Sequence, residues 1–230
     1  MRIDARAILS KLKRLRESDR GCELFGAAEH RYQLAGVASE RTVRAFETRY
    51  GLTLPEDYRS FLLEVGNGGA GPCYGLLPFA SFGTYKVGDL REQFPHTVAW
   101  NMPEGWFKNL PDPWDGEGEQ LPTSWPSIEA MLDAVGALPV NEDAARRRKE
   151  LESWYFSSEH VNGALPICHE GCGYYDLLVV QGAAYGSVWI DGRASDQGLA
   201  PVLSESGEPL SFGTWYMNWL QDCISQCATE

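Results

Sequence analysis

An α+β fold is predicted for this 230-residue sequence, and three observations carry the prediction. Three runs before position 66 repeat their apolar residues with helical spacing. Three apolar runs after position 163, each bounded by Gly or Pro, read as strands, and the chain closes on a Trp-rich amphipathic run. Helices, then a sheet, then a helix is the order of an α+β domain rather than of an alternating α/β one.

The first helix is expected near the start, with Ile8, Leu12 and Leu15 on one face and Lys and Arg around the rest. Its apolar stripe is narrow and lacks Trp or Phe, so it should dock onto the domain rather than lie on a membrane. The second runs from Ser39, a good N-cap, through Val43, Phe46 and Tyr50 to Gly51. The third is "LPEDYRSFLLEVG", where Tyr58, Phe61, Leu62 and Val65 recur at i, i+3, i+4 and i+7. Pro55 suits its first helical position, Glu56 and Asp57 favour the positive end of its dipole, and Gly66 is expected to stop it as a left-handed residue.

In "VGNGGAGPCYG", Gly66, Gly68 and Gly71 match G-x-G-x-x-G, the spacing that wraps a dinucleotide pyrophosphate. That chemistry needs a preceding strand and a following helix whose N–H groups face the anion. Here a helix precedes, and Pro72 and "YGLLPF" read as a turn into a strand. The glycines are therefore expected to serve a tight turn, not a nucleotide.

Residues 80 to 125 are dense in Pro, Gly, Trp and acid without either periodicity, and read as loop ordered by its tryptophans. "SIEAMLDAVG" and "NEDAARRRKELESWYF" read as helices, the latter with a mostly solvated charged face. "ALPIC", "YYDLLVVQG" and "GSVWID" follow as strands, the last two forming a hairpin through Gly182 to Gly186. The closing helix "SFGTWYMNWLQDCI" takes Ser211 as N-cap and presents Phe212, Trp215, Tyr216, Trp219, Leu220 and Cys223 on one broad face.

Lys and Arg number 20 against 32 Asp and Glu, a net charge of −12. Residues 1 to 20 hold seven basic and three acidic side chains, which leaves 13 basic and 29 acidic beyond them, a net of −16. Such a surface repels nucleic acid and anionic membrane and steers basic proteins toward itself. No run approaches the ~20 apolar residues of a membrane span. Charges scattered through the first twenty positions leave no apolar signal core, so a cytoplasmic protein is expected.

Six cysteines in such a chain read as reduced side chains. Cys168, His169 and Cys172 in "CHEGC" could begin a zinc site, with Cys223 and Cys227 to complete it. Leu165, Ile167, Leu177 and Leu178 instead give Cys168 and Cys172 ordinary strand and turn positions, so no metal and no cofactor are expected. His30, His96, His160 and His169 form no ligand pair, Ser81 lacks the first Gly of G-x-S-x-G, and no P-loop, kinase or deaminase signature occurs. No catalytic residue is assigned.

The stretch "LTLPEDYRSFLLEVGNGGAGPCYGLLPF" resembles the SUKH superfamily, the Smi/Knr-type proteins that include fungal cell-wall regulators and bacterial toxin-immunity proteins. Leu54, Pro55, Asp57, Tyr58, Phe61, Leu62, Asn67, Gly68, Gly69, Gly75, Leu76 and Pro78 carry the match. "LPICHEGCGYYDLLVVQGAAYGSVWID" and the Trp-rich helix are similar to the family's second half. The resemblance covers residues 39–79 and 163–222 of a single domain spanning 1–230. Residues 1–38 form an N-terminal helix and connection, and 80–162 an insertion.

The resemblance implies a mixed sheet packed against helices, with Pro55, Asn67, Gly68, Gly69 and Gly75 as a structural turn motif. Asn67 would tolerate a left-handed conformation or bond its own backbone. It also implies a non-enzymatic protein that binds a cognate toxin, often a nuclease; the alternatives are an intracellular regulatory scaffold and an enzyme whose site the sequence hides. The partner surface is expected at "LPDPWDGEGEQLP", where Asp112, Asp115, Glu117 and Glu119 ring Trp114. The competing role for Trp114 is to anchor its own loop, as Trp106 and Trp125 are expected to do.

Overall fold

A computed structural model describes residues 2–103 and 142–228. The chain divides into two compact units, Met1–Asn101 with Ser158–Glu230, and Met102–Ser157. The "SIEAMLDAVG" helix and the acidic loop around Trp114 lie outside the described residues.

The larger unit opens with α1 (Ala5–Ser18), α2 (Ala27–His30), α3 (Glu40–Tyr50) and α4 (Glu56–Glu64). Ile8, Leu12 and Leu15 are the buried residues of α1, so its single apolar stripe is what docks. Ser39 caps α3, its side chain accepting from Thr42 N. Pro55 is the N-cap of α4 and not its first helical residue; with ψ at 134° it is extended, and the helix begins at Glu56. Gly66 follows the C-cap Val65 directly, but its φ is not positive, so it does not end α4 in the left-handed region. A Cβ on Gly66 would meet Leu34 Cβ at 2.9 Å and Ala35 O at 3.0 Å, so close backbone approach explains this glycine.

Four strands follow, β1 (Ala164–Gly171), β2 (Tyr174–Val179), β3 (Val188–Asp191) and β4 (Leu199–Pro201), in the order β1-β2-β3-β4. Every pairing among the described residues is antiparallel, where the resemblance implies a mixed sheet. Short connections explain this: each strand reverses directly into its neighbour, whereas parallel neighbours need a long crossover. "YGLLPF" contributes only isolated bridges, Leu76 pairing with Gly69 and with Cys168, and Leu77 N donating to Ile167 O at 2.9 Å. Pro78, with no N–H, ends that pairing.

The sheet is buried on both faces, which explains why "YYDLLVV" shows no apolar/polar alternation. Leu165, Ile167, Leu178, Val180 and Val188 join the helices in the larger core. Tyr175, Leu177, Val179, Trp189 and Leu199 form a second core closed by Phe94 and Val161, with Tyr85 and Trp100 packed against it. The segment read as loop from position 80 thus covers one sheet face, and Trp100 bridges to Leu199 at the β4 edge.

The closing helix α6 (Phe212–Cys227) is capped by Ser211, whose side chain accepts from Thr214 N. Phe212 packs edge-on to Tyr58 at 4.8 Å and Phe61 at 5.1 Å, while Tyr216 donates to Ala70 O at 2.8 Å. In the smaller unit, α5 (Glu142–Tyr155) carries the i,i+4 pairs Arg148–Glu152 at 2.9 Å and Arg146–Glu150 at 4.0 Å, in keeping with a solvated charged face.

Candidate functional site

Three helices of the larger unit start beside one cleft of about 1040 Å³. Arg2, Asp4 and Ile8 come from α1 and its approach, Thr53 to Asp57 from the start of α4, and Ser211 to Met217 from the start of α6. The β2–β3 turn, Ala183 to Ser187, supplies the opposite wall, with Trp189 behind it. Tyr185 fixes that wall to the α4 approach by donating to Thr53 O at 3.1 Å.

Asp57 organises the cleft from beneath. It is 7% exposed, accepts from Tyr58 N at 2.8 Å through Oδ1, and accepts from Gly213 N at 2.9 Å through Oδ2. One carboxylate therefore serves the first turns of α4 and α6 together. Burial raises the pKa of the Tyr185 hydroxyl, and the neighbouring carboxylates Asp57, Glu47 and Glu56 raise it further.

The turn motif lies next to α4. Gly68, Gly69 and Gly75 hold φ of +93°, +99° and +95°. Asn67 is outside the left-handed region and does not bond its own backbone; its Oδ1 accepts from Phe79 N at 2.8 Å, tying the turn to the segment leading into the second core.

Two further polar clusters flank the sheet. Asp191 binds the Arg193 guanidinium through both oxygens, at 2.9 and 2.7 Å, and accepts from the Tyr85 hydroxyl at 2.7 Å. Burial pushes Tyr85 well up, and Asp191 adds to this. Nearby, the Trp100 ring stacks on His160 at 4.0 Å and on His96 at 5.1 Å. Burial lowers His96 to about 4, with repulsion from His160 and Arg193 in the same direction, so it is neutral at pH 7.

The second cluster joins Cys73, Cys168 and Asp176. Cys168 donates to Pro72 O at 3.1 Å, and burial pushes its thiol up. Cys73 rises to about 11 by burial and then by Glu170 and Asp176. Neither thiol is an activated nucleophile at neutral pH. His169 packs on Tyr74 and Tyr175, Cys172 is exposed, and Cys223 and Cys227 lie half-buried on α6. Among the described residues no three His, Cys, Asp or Glu side chains are grouped to hold a metal ion.

Asp176 itself is 2% exposed and its Oδ2 has no hydrogen-bond partner. Burial, then repulsion from Glu170, holds its pKa well above the usual carboxylate range. The folded state thus binds this proton more tightly than the unfolded chain, and stability falls as pH rises from about 4 toward the folded pKa. Asp176→Asn should raise Tm by about 2–4 °C at pH 8 and leave it unchanged near pH 4, as thermal melts at the two pH values will show.

The expected partner surface, Asp112, Trp114, Asp115, Glu117 and Glu119, lies outside the described residues. Sequence reasoning missed the cleft, because its walls come from five separated segments. The one usable signal was that Asp4, Pro55 and Ser211 each stand just before a helix.

The larger unit is thus an α+β domain with a cleft at the starts of three helices. The SMI1 / KNR4 family (SUKH-1) model matches residues 37–206, and the chain belongs to that family. The family includes immunity proteins and Smi1/Knr4 regulators. Comparison with curated proteins and with solved structures found no match. No described helix is long and apolar enough to cross a membrane.

Proposed function

We propose that the protein is a non-enzymatic cytoplasmic immunity protein that neutralises a cognate toxin by direct binding. Membership of a family containing immunity proteins supports the class, and the net charge of −16 beyond residue 20 is the observation that names the partner's chemistry. A nuclease must present a basic groove to its substrate, and an acidic protein both finds that groove quickly and blocks it. A regulatory scaffold is the second reading, favoured by the regulators in the same family.

Genes beside this one separate the readings, a large toxin-bearing reading frame favouring immunity. Co-expression with that toxin should restore growth, and arrest despite confirmed expression of both chains would end the immunity reading for the pair.

The acidic loop is proposed as a contact surface, with Trp114 as anchor and Asp112, Asp115, Glu117 and Glu119 facing the toxin. Replacing the four acids with Lys should abolish protection and slow association, while changing thermal stability little. Unchanged affinity in the folded quadruple variant would remove the loop from the interface.

A further inference from the structure

The cleft at the starts of α1, α4 and α6 has the placement of an anion site, because helix N-termini direct free N–H groups and partial positive charge at whatever lies beyond them. Its own carboxylates and hydroxyls already occupy four of those donors. Asp4 Oδ1 accepts from Ala7 N at 3.0 Å, Asp57 accepts from Tyr58 N and Gly213 N at 2.8 and 2.9 Å, and Ser211 Oγ accepts from Thr214 N at 3.4 Å. An incoming phosphate or carboxylate would meet the oxygens of Asp4, Asp57 and Ser211 at these positions.

Acid is in excess at the opening. Asp4 and Glu56 are exposed and Asp57 lies behind them, against Arg2 as the one lining base. Arg2 is directed partly away, its guanidinium hydrogen-bonded to Glu64 and 3.9 Å from Glu56. The remaining lining combines hydroxyls, among them Thr53, Thr97 and Thr214, with apolar side chains. Ile3, Tyr185, Pro209 and Met217 line the walls, and Leu54 and Trp189 close the floor. At about 1040 Å³ the cleft is at the upper end of small-ligand sites, large enough for several side chains of a polypeptide.

We infer that this cleft receives a basic segment of a protein partner, one Arg or Lys side chain lying between Asp4 and Glu56 and the adjoining apolar side chains packing on Ile3 and Met217. The inference rests on the protein-binding reading above and adds to it a docking surface on the larger unit. Charge complementarity selects the occupant: an acidic peptide or a phosphate would face three carboxylates against the single guanidinium of Arg2, whereas a cationic segment exchanges water for carboxylates beside apolar surface.

The test uses the full chain labelled at the methionine methyl groups, where Met217 reports from inside the cleft. The probes are the peptides acetyl-Arg-Leu-Arg-Leu-Arg-amide and acetyl-Glu-Leu-Glu-Leu-Glu-amide. The Arg peptide should shift the Met217 methyl signal saturably, and the Glu peptide should leave it in place. The double variant Asp4→Asn, Glu56→Gln keeps an N-cap acceptor on α1 and should fold as the parent does, yet bind the Arg peptide at least tenfold more weakly. No shift with the Arg peptide, an equal shift with both peptides, or unchanged affinity in the double variant overturns the inference. Protection by the wild-type protein in co-expression alongside a silent Met217 would sink the cleft alone. Arg-peptide binding without protection would sink the immunity reading and leave the cleft standing.

Discussion

Gly69→Ala is expected to destabilise the larger unit by about 3–5 kcal/mol, among the largest effects available to a single methyl group. Gly69 holds φ +99°, a conformation that alanine resists, and an added Cβ would lie 2.4 Å from Gln33 O. That carbonyl cannot step aside, because it accepts from Ala70 N at 2.7 Å, inside the same turn. Leu34 and Leu76 both pair with Gly69, so displacing it opens two bridges at the β1 side of the sheet. Gly51→Ala is the control: φ is +64°, nothing lies within 4 Å of its added Cβ, and the cost should be only about 1 kcal/mol. Urea denaturation of the two variants measures the contrast, and near-equal losses would show that positive φ alone, not the Gln33 carbonyl, sets the cost at Gly69.

Phe212→Ala should cost about 3–5 kcal/mol, the range for removing a fully buried aromatic ring. Phe212 is 0% exposed at the first turn of α6, with Tyr58, Phe61 and Tyr216 at ring separations of 4.8, 5.1 and 5.9 Å. It joins α6 to α4 on the core side while Asp57 joins them on the cleft side, so the cavity cannot close by moving one helix without breaking the carboxylate bonds. Phe212→Leu, which retains most of the volume, should cost about 1–1.5 kcal/mol. Calorimetry reads both values, and a loss below about 1 kcal/mol for Phe212→Ala would mean that the helix pair relaxes into the vacated space.

Ser39, Ser211 and the 3.6-residue stripes of α1, α3 and α6 were readable because the signals are local: a hydroxyl one position before an apolar period, then the period itself. The hairpin was readable for the same reason, with two β-rich runs bounded by glycines. Where the reading failed, a distant contact decided the outcome. Gly66 is small because Leu34 and Ala35 pass close to it, not because α4 needs a left-handed end. Asn67 reaches Phe79, twelve positions on, rather than its own backbone. β4, at three residues, is too short to show any period. The second core was hidden because Tyr85, Phe94 and Trp100 come from an aperiodic segment that owes its shape to the sheet face it covers.

The stacked rings of Trp100 and His160 stand one and two residues inside the points, Asn101 and Ser158, where the chain leaves the larger unit and re-enters it. A clasp of this kind holds the two ends of the 102–157 segment side by side whatever lies between them. Doubling the length of such a loop costs only about 0.6 kcal/mol in closure entropy. Trp100 and His160 thereby close the larger unit on itself at the place where its chain is interrupted, so that its two stretches are joined by packing and not by chain connection alone.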